Sequence, residues 1–92
     1  MANYALIRVE FDGIPNTSAL YIKIHSEMAK IKAARQITGS DGKSYKLPDG
    51  TYFMESTQSA IEIRMQVAAV LCKIHSKIHI VVAKTDEISF AL

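Results

Sequence analysis

Thr57-Gln58-Ser59-Ala60-Ile61-Glu62-Ile63-Arg64-Met65-Gln66-Val67-Ala68-Ala69-Val70-Leu71-Cys72-Lys73-Ile74 is the stretch on which the fold turns. Ile61, Ile63, Met65 and Val67 alternate with Glu62, Arg64 and Gln66, which is the period of a half-buried strand. Three features outweigh that alternation. Ser59 followed three residues later by Glu62 makes a capping box, Ala68-Ala69 are strong helix formers, and the segment is too long for a strand, which rarely exceeds ~10 residues. On a helix, Ile61, Met65, Ala68 and Cys72 form one apolar face, while Ile63, Val67, Val70, Leu71 and Ile74 form a second. The first is expected to join the core. A helix apolar on two sides needs two covers and the sheet supplies one, so the chain is expected to be a homodimer, through helix two or a sheet edge.

Working outward, Thr51 to Glu55 has strand composition. Lys46-Leu47-Pro48-Asp49-Gly50 before it is a turn, and Ser44 to Lys46 is expected to pair with it as a hairpin. Gly39-Ser40-Asp41-Gly42 is another turn, preceded by a short strand near Arg35 to Thr38. Leu20, Ile24, Met28 and Ile31 make one stripe of a first helix, with Lys23, Ser26, Glu27 and Lys30 on its far side and Thr17 or Ser18 as cap. Ala5, Ile7, Val9 and Phe11 alternate with Leu6, Arg8, Glu10 and Asp12 in the first strand. Downstream, Lys77 to Lys84 reads as a strand and Glu87 to Phe90 as a short fifth. The order βαββαβ predicts an α+β class: one ferredoxin-like sandwich over residues 1–92, a four-stranded antiparallel sheet with two helices on one face. Its expected core is Ile7, Val9, Phe11, Leu20, Ile24, Met28, Ile31, Ile61, Met65 and Ala68.

Composition narrows the setting. Apolar residues make up 49% of the 92 and charged residues 22%, which suits one globular domain with a thin core. The single Cys72 permits no internal disulfide and reads as a packed thiol. Met1-Ala2-Asn3-Tyr4 opens no signal peptide, and the apolar runs Val67 to Cys72 and Ile80 to Ala83 fall far short of a membrane span. A cytoplasmic location and no membrane partner are expected.

The motifs that would announce a common cofactor are missing: no phosphate loop, dinucleotide fingerprint, zinc-type cysteine pair or nucleophile elbow occurs. No cofactor and no metal are expected. His75 and His79, four apart, straddle a helix end and a strand, which spoils the geometry for a shared metal. His79 alternates with Ile78 and Ile80 and should face away from the core. Asp12, ending the first strand, either closes the turn or offers a lone carboxylate. Charge is uneven: between Lys23 and Lys46 six Lys or Arg stand against Glu27 and Asp41, a net +4, leaving −2 for the remainder. Such a basic half suits a polyanion or is simply a solvated face. Tyr45, Tyr52 and Phe53 flank the basic hairpin and could stack on unpaired bases. His25, at the flank of the helix-one stripe near Lys23 and Lys32, is placed either as an acid–base or phosphate-contacting group or as the polar margin of a buried face.

Phe11-Asp12 through Tyr21-Ile22-Lys23-Ile24-His25-Ser26-Glu27-Met28, the hairpin from Gly42 through Leu47 to Tyr52, and the Ser-rich entry to helix two together resemble the GhoS family of small bacterial proteins, from about Tyr4 to Thr85. That resemblance implies a ferredoxin-like fold and, from the family's named member, a type V antitoxin endoribonuclease that cleaves its toxin's messenger RNA. The family's arginine on helix one and its aromatic opening strand three fall on His25 and Tyr52, which become the implied catalytic pair. The aromatic is kept; the arginine has become an imidazole, which is no fixed bidentate cation. Lys23, Lys32 and Arg35 would then neutralise phosphate charge in a metal-independent cleavage through the ribose 2′-hydroxyl. Two other functions stay open: a non-enzymatic, dimeric protein-interaction module of bacterial or prophage origin, and a small-molecule regulatory domain, for which no glycine-rich ligand loop is present.

Overall fold

A computed structural model describes residues 3–14, 19–75 and 77–88. Its elements are β1 (Tyr4–Phe11), α1 (Leu20–Lys30), β2 (Gln36–Thr38), β3 (Ser44–Lys46), β4 (Thr51–Glu55), α2 (Ala60–Leu71) and β5 (Ile78–Thr85). β1 is the central strand, antiparallel to β4 on one side and to β5 on the other, with Ile7 opposite both Tyr52 and Val82. β4 and β5 therefore run parallel with β1 between them, joined through α2 as a split βαβ unit. The alternation in β1 is realised: Ala5, Ile7, Val9 and Phe11 are buried and Glu10 is exposed. These side chains meet α1 and α2 in one core with Tyr21, Ile24, Met28, Tyr52, Met54, Ile63, Val67 and Leu71. Among the described residues no helix is long and apolar enough to cross a membrane.

The α+β class with two helices holds, but the sheet is not four-stranded. The segment after α1 touches β4 at one bridge, Ala34 to Phe53, whose two backbone hydrogen bonds are each 2.8 Å. β2 then leaves and pairs with β3 in a separate two-stranded sheet. Ser44 to Lys46, expected beside Thr51 to Glu55, thus pairs with Gln36 to Thr38 instead. The cause is local: the Gly39–Lys43 turn closes on itself through Gly39 N–H to the Lys43 carbonyl at 2.9 Å, and Leu47 N–H extends the hairpin to the Arg35 carbonyl at 2.8 Å. On the β4 side, Pro48 has no N–H to offer a ladder. Gly50 completes that turn with φ 83°; a Cβ there would lie 2.8 Å from the Val9 carbonyl oxygen, so only glycine fits this approach.

α2 is a helix, and both halves of its capping box form: Glu62 N–H donates to Ser59 Oγ at 3.1 Å and Ser59 N–H to Glu62 Oε1 at 3.3 Å. Its faces are the reverse of the expectation. Ile63, Val67 and Leu71 are fully buried, whereas Ile61 is 64% and Met65 61% exposed, and Ala68 is only half-buried. The stripe continued by Val70 and Ile74 carries more apolar area than one containing Ala68 and Cys72, so burying it releases more free energy. Cys72, expected to be packed, is exposed on the outer face for the same reason. In α1, Ile24 and Met28 are buried as expected, Leu20 and Ile31 partly so, and Tyr21 joins them. The helix ends in a Schellman motif, Ala33 N–H to the Met28 carbonyl and Lys32 N–H to the Ala29 carbonyl, both 3.0 Å, with Lys32 left-handed at φ 66°. Thr17, Ser18 and half of the expected fifth strand, Ser89 and Phe90, lie outside the described residues; Glu87 and Ile88 are not in a strand.

Candidate functional site

The position of His25 follows from the rotation of α1. Burying Ile24 and Met28 brings the next residue to the margin of the sheet, half in and half out of solvent. From below, β4 sends Tyr52 inward at 0% exposure, and its hydroxyl lies 2.5 Å from His25 Nδ1. Burial pushes the Tyr52 hydroxyl up to about 12, with smaller contributions from its neighbours. At neutral pH it is therefore an O–H, which donates to a bare Nδ1 or accepts from Nδ1–H according to the imidazole tautomer. In the first case the imidazole carries its proton on Nε2 and has a donor left over; in the second Nε2 is a bare acceptor.

The hairpin supplies the charge. Arg35 follows the Ala34 bridge, and Lys46 stands opposite Gln36 in the β2–β3 register. With His25 they edge a cavity of about 490 Å³, floored by Ala29, Ala33 and Ala34. Arg35 also reaches Asp49 at 3.5 Å. His25 is pushed below its ordinary 6.5 chiefly by burial and then by Arg35, with Lys46 adding to this and Asp49 opposing it. The result is a neutral imidazole lining the same recess as two basic side chains, with room for a phosphate or carboxylate group. An anion seated there would also favour a proton on His25, since opposite charge stabilises the imidazolium.

Of the expected site residues, the structure brings together His25, Tyr52 and Arg35. Lys23, two residues before His25 and so ~200° round the helix, is exposed and does not line the cavity. Lys32 lines a different cavity. Lys46 is the added member; it was visible in the sequence only as one of six basic residues, because its place beside Arg35 depends on the β2–β3 pairing. Tyr52, expected to stack on a base, is completely covered, and its hydroxyl meets His25 Nδ1.

The second cavity, about 1110 Å³, lies between the hairpin and the outer face of β4. Tyr4, Tyr45 and Phe53 line it with Lys32, Asp41 and Glu55, so its charge is mixed. Tyr4 and Phe53 pack at 5.5 Å between ring centroids, and Tyr45 Oη donates to Asp41 Oδ2 at 2.5 Å. At the far end of β1, His79 Nε2 meets Asp12 Oδ1 at 2.7 Å and His75 Nε2 lies 3.4 Å from the Asp12 carbonyl. Both side chains of the His79–Asp12 pair are exposed, and His79 points away from the core as its alternation required. Among the described residues no cluster of His, Cys, Asp and Glu is arranged to hold a metal. No protein-family model matches the chain, and neither a curated protein nor a solved structure does.

Proposed function

We propose that this chain is an RNA-directed domain that seats a backbone phosphate of unpaired RNA between His25, Arg35 and Lys46. The observation that carries the reading is the His25 imidazole, hydrogen-bonded to buried Tyr52, in a recess that Arg35 and Lys46 also line. The chemistry is that of phosphate capture: charge-assisted donors from Arg35 and Lys46, and a neutral N–H from His25. Two split βαβ units interleaved about β1 and β4 suit a ferredoxin-like architecture whose second strand has shrunk to the Ala34 bridge. That architecture and the basic half agree with the resemblance to the GhoS family, and a cytoplasmic setting agrees with an RNA ligand.

Cleavage is a further step in this reading. A metal-independent endoribonuclease would take the 2′-hydroxyl proton and let the oxygen attack the adjacent phosphorus; the P–O5′ bond breaks, leaving a 2′,3′-cyclic phosphate and a 5′-hydroxyl that gains its proton from water. For His25 to take that proton, Nε2 must be bare, so Nδ1 must carry the hydrogen and donate to Tyr52 Oη. With Tyr52 donating instead, His25 binds phosphate and is no base. The tautomer thus divides binding from cleavage. The test is fluorescence anisotropy with a labelled single-stranded RNA, beside a cleavage assay with and without chelator. Binding should weaken about sevenfold between 50 and 200 mM salt if two phosphates are neutralised, from a slope of ~0.7 per phosphate. Absence of salt-dependent binding would remove the reading; binding without cleavage would leave His25 in its donor tautomer.

The second reading, a dimeric protein-interaction module without catalysis, is favoured by one observation: Ile61 and Met65 are held out of the core on α2.

A further inference from the structure

The outer face of α2 is patterned along its length. Its first half presents Ile61 and Met65, both largely exposed, and its second half presents Ala68 and Cys72, all four at helical spacing on one side. Large side chains come first and small ones after. A helix with that gradient is a poor match for a parallel copy, where bulk meets bulk at one end and gaps face gaps at the other. It matches an antiparallel copy. Turned end for end about a two-fold axis between Met65 and Ala68, Ile61 faces the partner's Cys72 and Met65 faces the partner's Ala68, so each large side chain meets a small one.

The flanking charges agree with the same arrangement. Glu62 and Lys73 lie on the same side of the apolar stripe, ~20° apart round the helix axis. Antiparallel pairing puts that flank of one copy against the same flank of the other, and the register brings Glu62 close to the partner's Lys73, twice by symmetry. Arg64, on the opposite flank, clears its own symmetry mate by ~7.5 Å of helix rise.

We infer that a second copy of this chain covers the outer face of α2, in an isologous antiparallel α2–α2 contact with Ile61 against Cys72. The inference is independent of the RNA reading, since the His25 cavity is edged by α1 and the hairpin and not by α2. One helix pair buries less than the ~800 Å² per partner of a standard interface, so the dimer should form at tens of micromolar and dissociate on dilution.

The test is mild oxidation of purified Ile61→Cys protein, followed by a non-reducing gel, with sedimentation velocity on the unmodified chain and on Met65→Glu. The arrangement predicts that Ile61→Cys gives a covalent dimer through Cys72 of the other copy. An intramolecular bond is excluded, because eleven residues of helix separate the two positions by ~16 Å, against the ~7 Å limit for a disulfide. Wild-type protein and the Ile61→Cys/Cys72→Ser double variant should stay uncrosslinked, and Met65→Glu should sediment as a folded monomer with an unchanged far-ultraviolet dichroism spectrum. A wild-type Cys72–Cys72 crosslink would overturn the antiparallel register. A dimer unaffected by Met65→Glu, or only monomer at roughly 100 micromolar, would overturn the interface.

Discussion

Helices α1 and α2 pack into the same core from two ends of the chain, yet they meet it on different terms. α1 has one continuous apolar side, and its remaining surface is polar except for Ile22 and Ala29. Its rotation has a single good solution, and that solution carries His25 to the sheet margin. α2 is apolar on two sides, so two rotations bury a respectable stripe and the larger stripe decides. A functional residue on a helix is readable from sequence when the helix can sit only one way. Where two faces compete, the outcome depends on the area each neighbour offers, which no local pattern records.

The largest expected effects separate the two faces of α2. Leu71→Ala and, on α1, Ile24→Ala should each cost ~2–5 kcal/mol, since both side chains are fully buried. Ile61→Ala and Met65→Ala should change monomer stability by no more than ~0.5 kcal/mol. Urea unfolding at low micromolar concentration measures all four; a Met65→Ala cost equal to that of Leu71→Ala would mean the helix is turned the other way. Tyr52→Leu should damage folding before it damages any ligand contact, because the ring has no solvent-facing surface. Tyr52→Phe isolates the hydroxyl and should cost ~0.5–1.5 kcal/mol, the worth of one hydrogen bond.

Smaller effects sharpen the account of α1. Lys32 closes the helix in the left-handed region, where a side chain is strained, so Lys32→Gly should raise stability by ~0.5–1 kcal/mol in the same unfolding experiment. The smallest effect is the pH dependence from His25. Its folded value is depressed below 6.5, so as pH falls through 6.5 the unfolded chain takes up the proton first. Stability from this group is therefore full above 6.5 and declines as pH falls from there through the lowered folded value. His25→Gln should flatten that part of the curve, and an unchanged slope would place the titrating group elsewhere.

How far the sequence reached depended on what each segment's neighbours could dictate. β1 was legible because one face of it is apolar from Ala5 to Phe11. β4 was legible as a strand over Thr51 to Glu55, but its facing was not: Tyr52, Phe53 and Met54 are consecutive and apolar or aromatic, so nothing local says that Tyr52 points in and Phe53 out. The hairpin was mispaired because Ser44 to Lys46 has a plausible partner on either side, and the tighter turn at Gly39 to Lys43 won. That same uncertainty hid Lys46, whose neighbourhood with Arg35 exists only in the β2–β3 register. The proximity of His25 to Tyr52, 27 residues apart in the chain, came from the family resemblance and not from spacing.

The central claim is that the recess beside His25 receives RNA phosphate. It is tested most directly by anisotropy titrations of one labelled single-stranded RNA at fixed salt, comparing Arg35→Ala and Lys46→Ala with Lys77→Ala, which removes the same charge beside Asp12 at the other end of β1. The account predicts about tenfold weaker binding, worth ~1.4 kcal/mol, for each of the first two and little change for the third. It further predicts that lowering the pH from 7.5 to 5.5 strengthens wild-type binding more than that of His25→Gln, because a protonated imidazole joins the two cations. Equal losses for all three lysine and arginine variants, with no His25-dependent pH effect, would mean that RNA meets only diffuse positive charge and would contradict the site.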